Sequence, residues 1–337
     1  MSENKIRLRY SGFIIFISRM VSLVTGLLFS IIITRNLSTS EFGVWGNIND
    51  LLTYFTTLAS IVPFWSKRFL ARGYTEAAKT GLAVNMLISV IMTAIYLILL
   101  PILISMMGIS RVYAYLYTII SIQIFEQHAV AALASIIHIK KPQAIGFGLL
   151  IFETCKIIIA AILVLNLRLG LLGPIYAVIT AHAARVAFYL TLTRKELKGR
   201  IKWTYIKEWI KASLLNIYNI IGNRVTSIPL LLLFTYGGEL ARAYYGAAQT
   251  IAAIIGYASL FAYALYPKLL IEMNERDVIT TLKSVLMFAI PITIGAIVLS
   301  DSYMTILNVA YREAQIVLII LSIGMLFQSI SDVFRYI

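Results

Sequence analysis

The chain has 337 residues, of which 60% are hydrophobic and only 13% are charged. Soluble domains carry about 25% charged residues, so this composition excludes an ordinary soluble protein and predicts an all-α polytopic membrane protein. The net charge of +14 would indicate a nucleic-acid partner in a soluble protein. In a membrane protein basic residues set the orientation instead, and we expect no nucleic-acid partner. The single cysteine, Cys155, excludes an intrachain disulfide.

Windows of about 20 apolar residues predict about ten transmembrane helices. The spans are Gly12 to Thr34, Val44 to Ser66, Gly81 to Leu103, Val112 to Ile137, Ala144 to Leu165, Leu171 to Thr193, Ala212 to Thr235, Tyr244 to Tyr266, Thr281 to Leu299 and Ala314 to Phe334. They lack the period-2 alternation of a transmembrane barrel, so strands are not expected.

The distribution of Lys and Arg between the spans predicts the orientation. With the N-terminus in the cytoplasm, 20 of the 29 basic residues fall in cytoplasmic segments and 5 in outer segments. Cytoplasmic loops of membrane proteins carry an excess of Lys and Arg. The sequence therefore predicts a multi-pass protein of the cell membrane with a cytoplasmic N-terminus.

The stretch 194–211 is the most basic part of the chain. It holds seven Lys and Arg residues among Trp203, Tyr205 and Trp209. Basic residues interleaved with aromatic ones between apolar spans are typical of the cytoplasmic membrane surface. We expect a cytoplasmic loop whose aromatic rings lie at the level of the lipid headgroups.

A weak internal repeat appears at a shift of about 200 residues. Trp45-Gly46 then aligns with Tyr245-Gly246, and Arg68-Phe69-Leu70 with Lys268-Leu269-Leu270. Such matched spacing predicts two parallel lobes around a central cavity: residues 1–193 with six helices, a basic linker at 194–211, and residues 212–337 with four helices. The second lobe lacks two helices of the repeat, so we expect a truncated or naturally shortened form.

Four basic residues lie within the predicted spans: Arg19, Lys156, Arg185 and Arg224. A charged side chain at the centre of a bilayer costs about 3 kcal/mol on insertion scales, so such residues face a bundle interior or an aqueous cavity. Glu153 and Lys156 stand at i and i+3 and predict a structural ion pair on one helix. Arg19 and Arg224 have no acid at helical spacing on their own helices, which favours a binding role for both.

Polar residues recur along several spans at helical spacing. We expect the following to line the cavity: Ser22, Asn47, Asp50, Asn219, Asn223 and Gln249. Polar groups in a membrane also hold helices together, and the sequence does not decide between the two roles. Asp50, Glu126 and Asp332 are the acids available for coupling to an ion, and the spacing does not choose among them.

The sequence carries no enzyme motif. There is no HExxH zinc motif, no phosphate-binding GxxxxGK[ST] loop, and the outer segment between Arg35 and Gly43 has only the acid Glu41. We therefore expect neither catalysis nor a bound metal or cofactor.

The segment Arg35 to Trp45, RNLSTSEFGVW, follows the first helix and opens the second. It resembles the entry motif of polysaccharide-biosynthesis, O-antigen-type flippases of the multidrug/oligosaccharidyl-lipid/polysaccharide exporter superfamily. The resemblance implies two lobes that rock to move lipid-linked oligosaccharides to the outer leaflet. It also implies that cavity arginines hold the pyrophosphate, with Arg19 at the matching place on the first helix, Arg224 opposite it and Arg185 assisting.

The expected function is translocation of a polyprenyl or dolichyl pyrophosphate-linked oligosaccharide for polysaccharide or glycoprotein glycan biosynthesis. Its expected partners are that lipid-linked oligosaccharide, the membrane lipids, and glycosyltransferases or a polymerase of the same pathway. Two alternatives remain open on the sequence. One is a cation-coupled multidrug exporter of the same superfamily, and the other is a non-transporting membrane scaffold of a glycan-assembly complex.

Overall fold

A computed structural model describes residues 8–259 and 275–335, and within these ranges the regular structure is entirely helical. The α-helices are α1 (Leu8–Asn36), α2 (Thr39–Phe55), α3 (Ile61–Ala71), α4 (Ala77–Met106), α5 (Arg111–Ile120), α6 (Ile122–Lys140), α7 (Gln143–Ala160), α8 (Leu172–Thr193), α9 (Trp203–Val225), α10 (Ile228–Gly256), α11 (Glu275–Val298), α12 (Ser300–Leu307) and α13 (Gln315–Arg335). Short helical segments follow α2, α7 and α10.

Seven spans within the described ranges are long and apolar enough to cross a membrane. They are Tyr10–Asn36, Ala77–Met106, Arg111–Lys140, Gln143–Asn166, Leu172–Thr193, Arg276–Val298 and Val309–Phe334. The prediction of an all-helical, multi-pass membrane protein is confirmed. The end of the predicted span Tyr244 to Tyr266 and the repeat element at Lys268 lie outside the described residues.

Two predicted spans are interrupted shortly before a proline. The span Val44 to Ser66 is divided between α2 and α3, and the span Ala212 to Thr235 passes from α9 to α10. Pro63 and Pro229 lie in the first turns of α3 and α10. Proline is tolerated there because the missing N–H would have no helical partner in the first turn.

The chain forms two compact units. Unit 1 comprises the chain up to Ile32 together with Val44–Gly238, and unit 2 comprises Ile33–Gly43 with Glu239–Ile337. The repeat predicts a division at the basic linker 194–211, whereas the compact units divide at Gly238. The backbone of Gly238 breaks α10 with φ 71° and ψ −173°, a conformation that glycine adopts without steric cost.

The stretch 194–211 is partly helical and packs against unit 1. The second half of this stretch is the beginning of α9, from which Tyr205 and Trp209 pack into a cluster with Val62, Leu70 and Ala77 of α3 and α4. The exposed fraction is 8% for Tyr205 and 2% for Trp209. Both rings therefore pack inside unit 1, on one face of α9, because they are four positions apart. Their depth at the level of the lipid headgroups stays a prediction.

Polar contacts hold α9 and the segment before it in place. The indole Nε1 of Trp65 donates to Ser213 Oγ at 2.9 Å. Lys202 Nζ lies 2.9 Å from Glu76 Oε1, and this hydrogen bond lowers the pKa of Glu76 below its usual value. The connection between α8 and α9 is thereby joined to the beginning of α4.

The contacts of the segment Ile33–Gly43 of unit 2 give a physical reason for the residues of the motif between Arg35 and Trp45. The Ser38 N–H donates to Glu41 Oε2 at 2.9 Å, and the Glu41 N–H donates to Ser38 Oγ at 3.1 Å. This reciprocal pair is a capping box, which satisfies free donors at the start of α2. Phe42 packs edge-on against Tyr311 with ring centroids 5.7 Å apart, and a Cβ at Gly43 would overlap the backbone of Glu239.

We predict that Trp209→Ala destabilises the protein by about 3 kcal/mol, because it removes a large buried side chain from the α3–α4–α9 cluster. The measurement is the unfolding temperature of the purified protein in a mild detergent. Trp203→Ala is the matched control, since Trp203 is 69% exposed on the same helix. Equal losses in the two variants would contradict the packing role of Trp209.

Candidate functional site

The carboxylate of Glu153 is the centre of a polar network between α1 and α7. Ser22 Oγ donates to Glu153 Oε1 and Thr25 Oγ1 donates to Glu153 Oε2, both at 2.7 Å. Lys156 Nζ also lies 2.7 Å from Glu153 Oε2. The predicted Glu153–Lys156 ion pair is confirmed, and its partners are 4% and 8% exposed.

Aromatic rings surround the charge of Lys156. Its Nζ lies 5.2 Å from the ring centroid of Phe29 and 5.0 Å from that of Phe152, distances at which a cation interacts favourably with a ring face. Phe152 in turn packs on His182, with ring centroids 4.5 Å apart. Lys156 thus has a structural environment, formed by α1, α7 and α8.

Arg185 contacts the side chain of Tyr189, which lies one turn later on α8. Its Nε donates to Tyr189 Oη at 3.2 Å, and its guanidinium carbon is 5.3 Å from the centroid of that ring. The Tyr189 hydroxyl donates to the carbonyl of Ile145 at 3.3 Å. Gly148 permits this approach, because a Cβ there would overlap the ring.

Arg19 has a different environment from its neighbours on α1. Ser18 is fully buried and donates to its own helix at Ile14 O, and Ser22 donates to Glu153 on α7. Arg19 is exposed on unit 1. Arg19 therefore lies at the surface of this unit, while Ser22 beside it connects α1 to α7.

Arg224, near the end of α9, belongs to unit 1 together with Asp50 and Tyr54 of α2. The charges of Asp50 and Arg224 both act on the Tyr54 hydroxyl. The Arg224 Nε and Tyr54 Oη atoms are buried, and neither has a hydrogen-bond partner within the described residues. A buried donor without an acceptor is costly, so an acceptor would be favourable at each of these two atoms.

Asn47 lies in the core of unit 1. It is fully buried, and Tyr117 Oη donates to its Oδ1 at 2.7 Å. Tyr96 Oη donates to the carbonyl of Tyr117 at 3.0 Å, so the network extends from α2 to α4 and α5. The aromatic partners of Asn47 were not identified from the sequence, because they lie far apart along the chain.

The three acids considered for ion coupling have different surroundings. Glu126 on α6 is 8% exposed, and in the part of the chain that the structure describes its Oε2 has no hydrogen-bond partner. Asp50 is 9% exposed on α2. Asp332 on α13, in unit 2, accepts a hydrogen bond from Gln328 Nε2 at 2.9 Å.

The remaining residues predicted to line the cavity lie on α9 and α10. Gln249 is partly buried on α10 in unit 2. The side chains of Asn219 and Asn223 lie outside the described residues, although their backbone is part of α9. Among residues 8–259 and 275–335, no group of three or more His, Cys, Asp or Glu side chains could hold a metal ion.

These features define a multi-pass helical membrane protein with charged groups held inside its apolar spans. No family model matches the sequence, and no curated protein matches it.

Solved structures of transporters share the fold. The lipid II flippase MurJ in an inward closed conformation matches with a TM-score of 0.71 and 14% identity, covering 96% of this chain and 75% of MurJ. The MATE multidrug transporter DinF-BH matches with a TM-score of 0.68 and 14% identity, covering 95% of this chain and 86% of that one.

An inward-facing multidrug resistance MATE family transporter of the MOP superfamily matches with a TM-score of 0.66 and 14% identity, covering 94% of this chain and 82% of that one. The fold of this protein is therefore the fold of MATE transporters and MurJ.

We predict that Glu153→Ala lowers the free energy of unfolding by about 3–5 kcal/mol, because it leaves Lys156 buried without its acid. The double variant Glu153→Leu/Lys156→Met should recover much of this loss, since it removes both charges and lets Ser22 and Thr25 donate to their own helix. The measurement is thermal unfolding of each variant in one detergent. A double variant that is less stable than Glu153→Ala would refute the energetic coupling between Glu153 and Lys156.

Proposed function

We propose that this protein is a flippase that moves a polyprenyl or dolichyl pyrophosphate-linked oligosaccharide from the cytoplasmic to the outer leaflet by alternating access. The observation that carries the proposal is Arg224, a cation in an apolar span whose buried Nε has no acceptor within the described ranges. The unpartnered hydroxyl of Tyr54 supplies a second donor. Exposed Arg19 supplies a second guanidinium in the same unit.

The chemistry of these groups fits a pyrophosphate. Arginine stays charged and offers paired donors that match phosphate oxygens. In an environment of low dielectric such pairs are stronger than in water. In the proposal Arg19 and Arg224 bind the pyrophosphate and Arg185 assists, because its guanidinium retains donors besides the Nε that bonds Tyr189. Lys156 has no part in binding, since Glu153 already neutralises it.

The fold also supports the proposal at a coarser level. Its structural neighbours include the lipid II flippase MurJ, whose name describes movement of a lipid-linked molecule. In the proposal the lipid tail stays in the bilayer. Glycosyltransferases or a polymerase would supply or consume this substrate. No group on the chain is assigned a catalytic role.

A second candidate function is cation-coupled export of drugs, and one observation favours it. Glu126 is a buried acid with an oxygen that has no partner among the described residues, unlike Glu153, whose carboxylate accepts three donors. An intramembrane acid of this kind is suited to carrying a proton or cation. The solved structures that share the fold of this chain include two multidrug transporters. Coupling through Glu126 is equally compatible with a flippase.

We predict that Arg19→Ala and Arg224→Ala each lower lipid flipping by about tenfold or more, because each removes a charged pair with the pyrophosphate. The assay uses proteoliposomes containing a polyprenyl pyrophosphate-linked oligosaccharide with a fluorescent sugar. A membrane-impermeant reductant quenches the label in the outer leaflet, so complete quenching reports flipping. Arg19→Lys should recover only part of the activity, since lysine lacks the planar fork.

Arg111→Ala is the control for this assay, since Arg111 is exposed at the beginning of α5 and carries the same charge. Undiminished flipping in Arg19→Ala and Arg224→Ala would refute the site. A wild-type protein that moves no labelled lipid but exports a cationic dye down a proton gradient, and loses this export in Glu126→Gln, would favour the drug exporter. Stable co-purification with a glycosyltransferase, without transport of either kind, would favour the scaffold.

We predict a cytoplasmic N-terminus, and thiol accessibility tests this orientation. In a Cys155→Ser background, Lys198→Cys should react with a membrane-impermeant maleimide only after the cells are permeabilised, whereas Leu167→Cys should react in intact cells. Both positions are exposed in the structure, so burial does not limit either reaction. The reverse pattern would show the opposite orientation.

A further inference from the structure

An apolar cavity of about 390 Å³ lies among α3, α4 and α9, entirely within unit 1. Val62 of α3, Val84 and Leu87 of α4, and Ile206 and Ile210 of α9 contribute to its walls. The transport site proposed above does not include any of these residues. Ligand sites are commonly concave and mostly apolar, with volumes of about 300–1,000 Å³, and this cavity falls in that range.

The cavity opens onto the apolar surface of α4. Two of its wall residues, Leu87 and Ile91, are 56% and 47% exposed. Val90 and Ile98, farther along the same helix, are also exposed. Because α4 is apolar enough to span a membrane, a surface of this kind faces hydrocarbon, and a hydrocarbon chain can enter the cavity from the bilayer.

By helical spacing, two basic residues lie beside wall residues of the cavity on α9. Lys207 and Lys211 are exposed on α9, one and two turns after the wall residue Trp203. Residues spaced in this way are neighbours on a helix surface. A helix with an apolar face and lysines beside it is typical of binding at the surface of an anionic membrane, and the basic stretch is predicted to lie on the cytoplasmic side.

The volume of the cavity is comparable to that of one hydrocarbon chain. At about 30 Å³ for each group of the size of a water molecule, 390 Å³ holds roughly a dozen methylene-sized groups. This corresponds to most of one fatty-acyl chain, whereas a polyprenyl carrier is several times longer. The flanking lysines select for a negative headgroup, and anionic lipids are enriched in the cytoplasmic leaflet.

We infer that the cavity among α3, α4 and α9 is a binding site for one anionic phospholipid. One acyl chain fills the cavity, and Lys207 and Lys211 hold the phosphate. This site is separate from the proposed transport function and does not depend on it. Occupancy fixes α9 against α3 and α4, because the chain completes the packing around Trp209 and Ile206.

The test is native mass spectrometry of the full chain released from bilayers that contain equal amounts of phosphatidylglycerol and phosphatidylethanolamine with identical acyl chains. We expect one retained phosphatidylglycerol for each protein. Each lysine near a membrane surface contributes roughly fivefold to the binding of anionic lipid, so Lys207→Glu/Lys211→Glu should lower the ratio of the two retained lipids by about tenfold or more.

Lys195→Glu/Lys198→Glu is the matched control, because it makes the same charge change at exposed positions of the same stretch that do not border the cavity. It should leave the ratio unchanged. Val84→Trp, which fills the cavity, should remove the retained lipid in a protein that still unfolds cooperatively. If that variant does not fold, the two charge variants, which alter only surface residues, still test the site.

Three results would overturn the inference. One is a wild-type protein that retains no lipid or shows no preference for phosphatidylglycerol. Another is an equal effect of the two double variants, which would show a general effect of charge. The third is displacement of phosphatidylglycerol by polyprenyl phosphate added at equal mole fraction, which would assign the cavity to the carrier lipid.

Discussion

The carboxylate of Glu153 accepts three donors within a span that crosses the membrane, and two of these donors, Ser22 and Thr25, connect α1 to α7. Burying a charge in hydrocarbon costs free energy unless the charge is paired, so the neutralised pair of Glu153 and Lys156 can be buried. A cation without an acid at helical spacing on its own helix has to face another polar group or a water-filled cavity. Lys156 has its partner on its own helix. This difference separates the structural cation from Arg224, whose buried Nε has no acceptor among the described residues and which the proposed function uses to bind phosphate.

Sequence patterns predicted the features that depend on local spacing. The apolar spans and the ion pair at i and i+3 follow from helix geometry alone. The proximity of Arg224 to Tyr54 of α2 could not be predicted, because the two residues are distant in sequence and no periodicity relates them. The packing of Trp209 was also missed, since aromatic residues at a headgroup surface and aromatic residues packed on a neighbouring helix give the same composition.

The motif that prompted the family resemblance has a structural explanation. Ser38 and Glu41 cap α2, and Gly43 permits close approach to the backbone of Glu239. None of these roles requires a particular substrate. The motif is therefore evidence about the fold, in agreement with neighbours that include both multidrug transporters and a lipid II flippase. Evidence about the substrate has to come from the cations of α1 and α9 and from the acid on α6, which lie outside the motif.

The assignment of Ile33–Gly43 to unit 2 has a consequence for biosynthesis. The partners of this segment, among them Glu239, Ile306 and Tyr311, are synthesised about 200 to 270 residues later. At a translation rate of roughly 5–20 residues per second, the segment waits on the order of ten seconds or more before they emerge from the ribosome. During that interval the capping box between Ser38 and Glu41, which needs no distant residue, is what keeps the turn in its final shape as the nascent chain is inserted.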